Sequence, residues 1–179
     1  EPIIDNIKVL KYLQEKLNSS PYHNDMKVTP FDSDGPLVLL TGRVSPQKGI
    51  NKLIEIVPAL IEKIPNIKFL LLMIPSPFNL DTLERYCEFA KEYPKNVRFI
   101  FGKAKSIFLL AHLAADVYCC PSQWEPFGIV ALEAMASKLP VVASKVGGLQ
   151  ESIIDLTENQ EKGTGILFDK NDPMELKQD

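Results

Sequence analysis

The stretch Leu37-Val-Leu-Leu-Thr-Gly-Arg-Val-Ser-Pro-Gln-Lys-Gly-Ile-Asn-Lys-Leu-Ile-Glu-Ile-Val-Pro-Ala-Leu-Ile-Glu-Lys-Ile-Pro-Asn-Ile-Lys-Phe-Leu-Leu-Leu-Met-Ile74 decides the architecture. It opens on an apolar run, Leu37–Thr41, and crosses a polar loop with glycine at each end, Gly42–Gly49. A helical pattern follows over Ile50–Ile64, and a second apolar run, Ile67–Ile74, closes it. Short, uniformly apolar runs bounded by Gly and Pro read as strands covered on both faces. Strand, crossover helix and strand together make the repeating unit of a parallel sheet.

The alternation continues outward from that unit. Strand patterns recur at Val97–Phe101, Val117–Cys120, Val141–Ala143 and Ile166–Phe168, and helical patterns at Leu80–Glu92, Ser106–Ala115, Phe127–Lys138 and Gln150–Leu156. The expected fold is α/β, a doubly wound, Rossmann-like parallel sheet with helices on both faces. Residues 37–179 are expected to form that domain. Residues 1–36 read as a flank, with a helical pattern at Asp5–Leu17 and then the polar, Pro-containing Asn18–Pro36.

The 179 residues, 45% of them hydrophobic and 24% charged, suffice to bury the core of one ordinary domain, which excludes wholesale disorder. A net charge of −3 argues against a protein that grips a nucleic-acid backbone. Three cysteines, Cys87, Cys119 and Cys120, are too few and wrongly spaced for a zinc motif or a disulfide framework, and no metal is expected. Their odd number fits a reducing, cytoplasmic setting. No apolar run reaches the ~18 residues of a membrane span. The absence of an initiator Met, together with Asp172–Leu176 resembling the opening of a helix, reads as a piece cut from a longer chain.

In open parallel sheets, ligands gather outside the carboxyl ends of the strands, so the loops after the strands carry the chemistry. In Gly42–Gly49, Arg43 and Lys48 are placed to clamp a diphosphate, one as a planar fork and one as a point charge, unless both are solvated loop cations. The loop is neither a Walker loop nor a dinucleotide-binding glycine turn. From Phe127 to Met135 only Gly128 and Glu133 are not apolar, so this helix is expected to be buried and Glu133 to meet a polar partner. Pro126 suits the first helical position. Gly128 lets another group approach, and Glu133 lies one to two turns further along, at about 100° per residue. A ligand with a phosphate at the helix start and hydroxyls beyond it fits that layout, as a nucleotide does. The competing reading has Glu125 capping the helix and Glu133 paired with a neighbouring cation. Gly147-Gly148, after the strand Val141–Ala143, permits close approach of a ligand or simply a tight turn. His112 is expected to be a packed or hydrogen-bonded histidine, and Cys119-Cys120 two small buried residues.

Taken together, Thr-Gly-Arg43-x4-Lys48-Gly, Pro-Ser-x-x-Glu125-Pro-Phe-Gly-x4-Glu133-Ala and Val-Gly-Gly-Leu149 resemble the C-terminal, donor-binding domain of retaining GT-B glycosyltransferases, most of all glycogen synthases of the archaeal type. The resemblance implies that Arg43, Lys48 and Glu125 are catalytic. The two cations would neutralise the donor's diphosphate, and Glu125 would hold the hydroxyls of the transferred sugar. It implies further that Gly42, Phe127, Gly128, Ile129, Val130, Glu133 and Lys103 line the donor site, with Glu133 taking the ribose. The donor would be ADP-glucose or UDP-glucose, with no cofactor and no metal. The donor's own phosphate would assist a front-face attack. The acceptor, an α-glucan, would be bound by an N-terminal domain outside this chain, with no role for nucleic acid or membrane. Related enzymes making sucrose, trehalose or cell-envelope glycosides share these motifs, and a non-catalytic nucleotide-binding module is the competing class. Bacterial glycogen synthases carry Tyr where this chain has Glu133, and place an aromatic residue where it has Gly102-Lys103, so the base of the donor stays open. Alone, the fragment is expected to bind nucleotide without transferring sugar, because reaction needs the sugar enclosed between two domains.

Overall fold

A computed structural model of the chain describes residues 31–75, 80–102 and 105–171. The expected helix at Asp5–Leu17, the helix opening at Asp172–Leu176, and the candidate Lys103 lie outside the described residues. Among them, six strands alternate with five helices. The strands are β1 (Leu37–Arg43), β2 (Lys68–Ile74), β3 (Val97–Phe101), β4 (Val117–Cys120), β5 (Val141–Ser144) and β6 (Gly165–Phe168). The helices are α1 (Ile50–Lys63), α2 (Leu80–Glu92), α3 (Lys105–Ala114), α4 (Ile129–Ala136) and α5 (Gly147–Ser152). Each falls where the hydrophobic pattern placed it, with ends shifted by a few residues. The described residues divide into two compact units, the first within Glu1–Arg43 and Asn66–Asp116, the second within Val44–Pro65 and Val117–Asp179.

In the first unit the strands run parallel in the order β3-β2-β1, with Leu37 opposite Lys68 and Phe69 opposite Val97. Every residue of β2 from Lys68 to Met73 is buried, as expected of a strand covered on both faces. Tyr86 of α2 stacks on Phe99 of β3, with centroids 5.0 Å apart and planes 9° from parallel. The burial of Lys68 is compensated locally: its Nζ donates to the Ser33 carbonyl at 3.0 Å. Desolvation holds this ammonium below the ordinary lysine value, while Asp116 and Asp34 oppose the shift. His112 of α3 is 2% exposed and shares a 2.8 Å hydrogen bond between Nδ1 and the Phe108 carbonyl, in keeping with a packed histidine.

The second unit carries the order β4-β5-β6, again parallel, with Tyr118 opposite Val141 and Ser144 opposite Phe168. Its buried apolar residues include Tyr118, Cys119, Cys120, Val141, Ala143 and Leu149, and Ile50, Leu53, Ile56 and Val57 on α1. Helix α4 packs on β4 and β5 through Ala131 and Ala134. It ends in a Schellman arrangement, in which the Leu139 amide donates to the Ala134 carbonyl at 3.0 Å and the Lys138 amide to that of Met135 at 2.9 Å. This requires a left-handed residue at position 138, and the chain supplies Lys138 at φ 63°.

A side chain in that conformation is strained, and glycine is not. Lys138→Gly is therefore expected to stabilise the fold by about 0.5–1 kcal/mol, the usual gain from an improved helix cap. In a thermal melt the midpoint should rise by about 2 °C. A fall would show that Lys138 makes a contribution that outweighs its strain.

Candidate functional site

The loop after β1 is shaped by its glycines. Gly42 has φ 153° and Gly49 φ 62°, values that L side chains rarely adopt. Between them Ser45 is extended and Pro46–Lys48 make one 3-10 turn, which aims Lys48 inward. A Cβ on Gly49 would lie 1.7 Å from the Pro121 carbonyl oxygen, so only glycine lets this loop rest against the segment that follows β4.

Three contacts fasten that loop to the second segment. The Gln123 amide donates to the Gln47 carbonyl at 2.7 Å. Nε2 of Gln47 donates to the Trp124 carbonyl at 3.0 Å. Lys48 Nζ donates to Glu125 Oε2 at 2.5 Å, forming an ion pair whose side chains are only 12% and 11% exposed. The Ser122 hydroxyl lies 3.5 Å from the same oxygen. Among the described residues, Oε1 has no hydrogen-bond or ion-pair partner.

A third loop holds the Glu125 backbone from below. The Gly148 amide donates to the Glu125 carbonyl at 2.8 Å. A Cβ on Gly147, itself at φ 44°, would come within 2.2 Å of that carbonyl oxygen, and one on Gly148 within 2.6 Å of the Phe127 backbone. What approaches this glycine pair is the chain's own Glu125–Phe127 segment, which neither reading anticipated. Helix α5 accordingly starts at Gly147, three residues ahead of expectation.

Helix α4 departs from the sequence reading. It begins at Ile129, so Pro126 and Phe127 precede it, and Gly128 at φ 69° is its N-cap. It is not buried all round: Phe127 is 73% exposed, Ile129 59% and Leu132 47%, with Val130 intermediate. Only the small stripe Ala131 and Ala134 faces the sheet, so the large apolar side chains point outward. Glu133 is exposed as well, and its carboxylate needs no buried partner. Of the two glutamates the buried one is Glu125, 9% exposed, and its partner is Lys48. Glu125 does not cap the helix, since no side chain caps α4. Among the described residues, none accepts a hydrogen bond from the Ile129 or Val130 amide at the helix's positive end.

Lys48, Glu125, Gly128 and Ile129 therefore come together in the second unit, with Val130 and Glu133 further along α4. Gly42 and Arg43 end β1 in the first unit, where Arg43 is exposed. Burial pushes the Cys120 thiol up, with Lys48 partly opposing it, and raises that of Cys119 likewise, so neither is a thiolate at neutral pH. Gln47 and Gln123 were not singled out in the sequence, and Ser122 entered only as part of a motif. The Gln47–Trp124 contact spans 77 positions, and no local pattern announces it. Chemically, the site offers a cation, a carboxylate with one free oxygen, and open helix amides, a set suited to phosphate and hydroxyl groups on one ligand.

Residues 22–179 match the family model described as glycosyl transferases group 1. A probable glycogen synthase of Methanocaldococcus jannaschii is 36% identical over 143 residues, 76% of this chain and 27% of that protein. A D-inositol 3-phosphate glycosyltransferase of Corynebacterium glutamicum is 36% identical over 141 residues, 76% of this chain and 32% of its own. The solved sucrose-phosphate synthase of Thermosynechococcus elongatus superposes with a TM-score of 0.63 and 33% identity, over 96% of this chain and 39% of that one. The fold is thus the Rossmann-like α/β lobe of GT-B enzymes, and the chain spans about a third of the relatives it matches.

Removing one member of a buried pair strands the other's charge, at about 3–5 kcal/mol when burial is complete. Discounted for the 11–12% exposure of these side chains, Lys48→Met is expected to cost about 2–3 kcal/mol in urea unfolding. The double variant Lys48→Met/Glu125→Gln should recover more than half of that loss. Additive effects would show that the two residues do not stabilise one another.

Proposed function

Because this chain belongs to the group 1 glycosyltransferases, we propose that it is the donor-binding part of a retaining α-glucan synthase, moving glucose from a nucleotide-glucose onto a growing α-1,4 chain in the cytoplasm. The observation that carries the reading is the Lys48–Glu125 pair set beside the uncapped start of α4. In this reading Arg43 and Lys48 neutralise the diphosphate, the amides at Gly128 and Ile129 face the phosphate and sugar, and Gly42, Phe127, Val130 and Lys103 complete the donor site as the family resemblance implies. Glu125 presents Oε1 to the sugar, and Glu133, exposed on α4, takes the ribose hydroxyls. Charge on the departing diphosphate grows as the glycosidic bond breaks. Fixed cations and amides stabilise that charge without reorganising.

The glucan acceptor rests on the likeness to glycogen synthase. The inositol-phosphate and sucrose-phosphate relatives match this chain at similar identity, so transfer to a small polyol or sugar phosphate is the second reading. Incubating the complete enzyme with labelled nucleotide-glucose and either glycogen or a sugar phosphate separates the two.

Calorimetric titration of the chain with ADP, UDP, GDP and NAD tests the site itself. One nucleoside diphosphate should bind saturably. Arg43→Ala and Glu133→Ala should each weaken it by about tenfold, the loss of one charged hydrogen bond. Absence of binding by any of them, or binding untouched by both substitutions, contradicts the proposed site.

A further inference from the structure

The ion pair that identifies the site also presents an obstacle to its ligand. In the free protein, the ammonium assigned to the diphosphate is already held by the carboxylate assigned to the sugar, at 2.5 Å and largely away from solvent. The two loops that carry the pair are fastened to one another. The Gln123 amide and the Gln47 side chain bridge them on one side, Gly49 lies under Pro121, and Gly148 fixes the Glu125 carbonyl. Lys48 and Glu125 can exchange partners only by moving their own side chains.

Resting on the donor-site reading above, we propose that Glu125 is a specificity-determining residue that makes Lys48 available to a diphosphate only when a sugar is attached to it. A nucleoside diphosphate without sugar must compete with the Glu125 carboxylate for the ammonium, and once bound it brings its negative charge against that carboxylate. A nucleotide-sugar carries the competitor's replacement with it. Its hydroxyls donate to Glu125, satisfy the carboxylate and free Lys48 for the phosphates. Diphosphate binding and sugar recognition are thus coupled through one pair, and the coupling is reciprocal. After transfer the sugar is gone, Glu125 is again without hydroxyl donors, and it recaptures Lys48. The same contact that favours the loaded donor therefore speeds release of the spent one.

The consequence is a change of opposite sign for two ligands at one substitution. Glu125→Gln removes the competing charge while keeping the shape. Affinity for the nucleoside diphosphate should rise about fivefold or more, the lower end of coupling between sites, while affinity for the matching nucleotide-glucose should fall. Glu125→Asp keeps the charge but withdraws it by one methylene, so the buried ammonium stays partly balanced. It should shift the two affinities in the same directions by less.

Calorimetric titration of the wild-type protein and both variants with ADP, UDP and GDP, and with the corresponding nucleotide-glucose, gives the comparison, with circular dichroism confirming that each variant is folded. Opposite shifts establish Glu125 as the discriminating group. Diphosphate affinity that is unchanged or weakened in both variants overturns this inference while leaving the donor site in place. Failure of every nucleotide to bind the wild-type protein overturns the donor-site reading, and the inference with it.

Discussion

The second unit is organised around one buried ion pair. Lys48 and Glu125 come from segments far apart in the chain, yet their side chains are only 12% and 11% exposed and meet at 2.5 Å. Two charges taken from water in this way gain little stability over apolar residues of the same size, so the pair is poorly explained as a structural brace. What surrounds it is better explained as a mounting. Gly49 admits the Pro121 carbonyl, Gly147 and Gly148 admit the Glu125–Phe127 backbone, and Gln47 bridges the two upper loops. Each of these glycines sits where a single methyl group would collide with backbone.

This explains why the site lies where it does. In a parallel α/β unit the loops at the carboxyl ends of the strands are free to vary, while the strands beneath are fully covered. Lys145 to Gly148 follow β5 and Pro121 to Gly128 follow β4, so a glycine pair after one strand seats a carboxylate carried after the other. Helix α4 then leaves this seat with its amides unclaimed and its large apolar side chains facing outward. It is anchored by two alanines.

Much of this was legible in the residues. The bounds of β3, β4 and α2 follow from the hydrophobic pattern to the residue, because strands covered on both faces leave unbroken apolar runs and α2 has the periodicity of a one-sided helix. The motif loops were identifiable from their charges and glycines. What the pattern misjudged was burial. An apolar helix such as Ile129–Ala136 looks buried from composition, but composition does not say which stripe meets the sheet, and Ala131 and Ala134 proved to be the stripe. That Glu125 caps the helix was the competing reading, since an acidic residue just before a helix commonly does so. The burial of Glu125 comes from Lys48 and the glycine pair, contacts that arise only once distant segments have folded together.

The most direct test of this account is a crystal structure of the protein with an intact nucleotide-glucose bound. The account predicts Lys48 Nζ on a diphosphate oxygen and the Glu125 carboxylate on the sugar hydroxyls, each within hydrogen-bonding distance of about 2.7–3.2 Å, with the phosphates at the start of α4. A ligand seated elsewhere, or one seated there with the Lys48–Glu125 pair intact and the sugar turned away from Glu125, would contradict it.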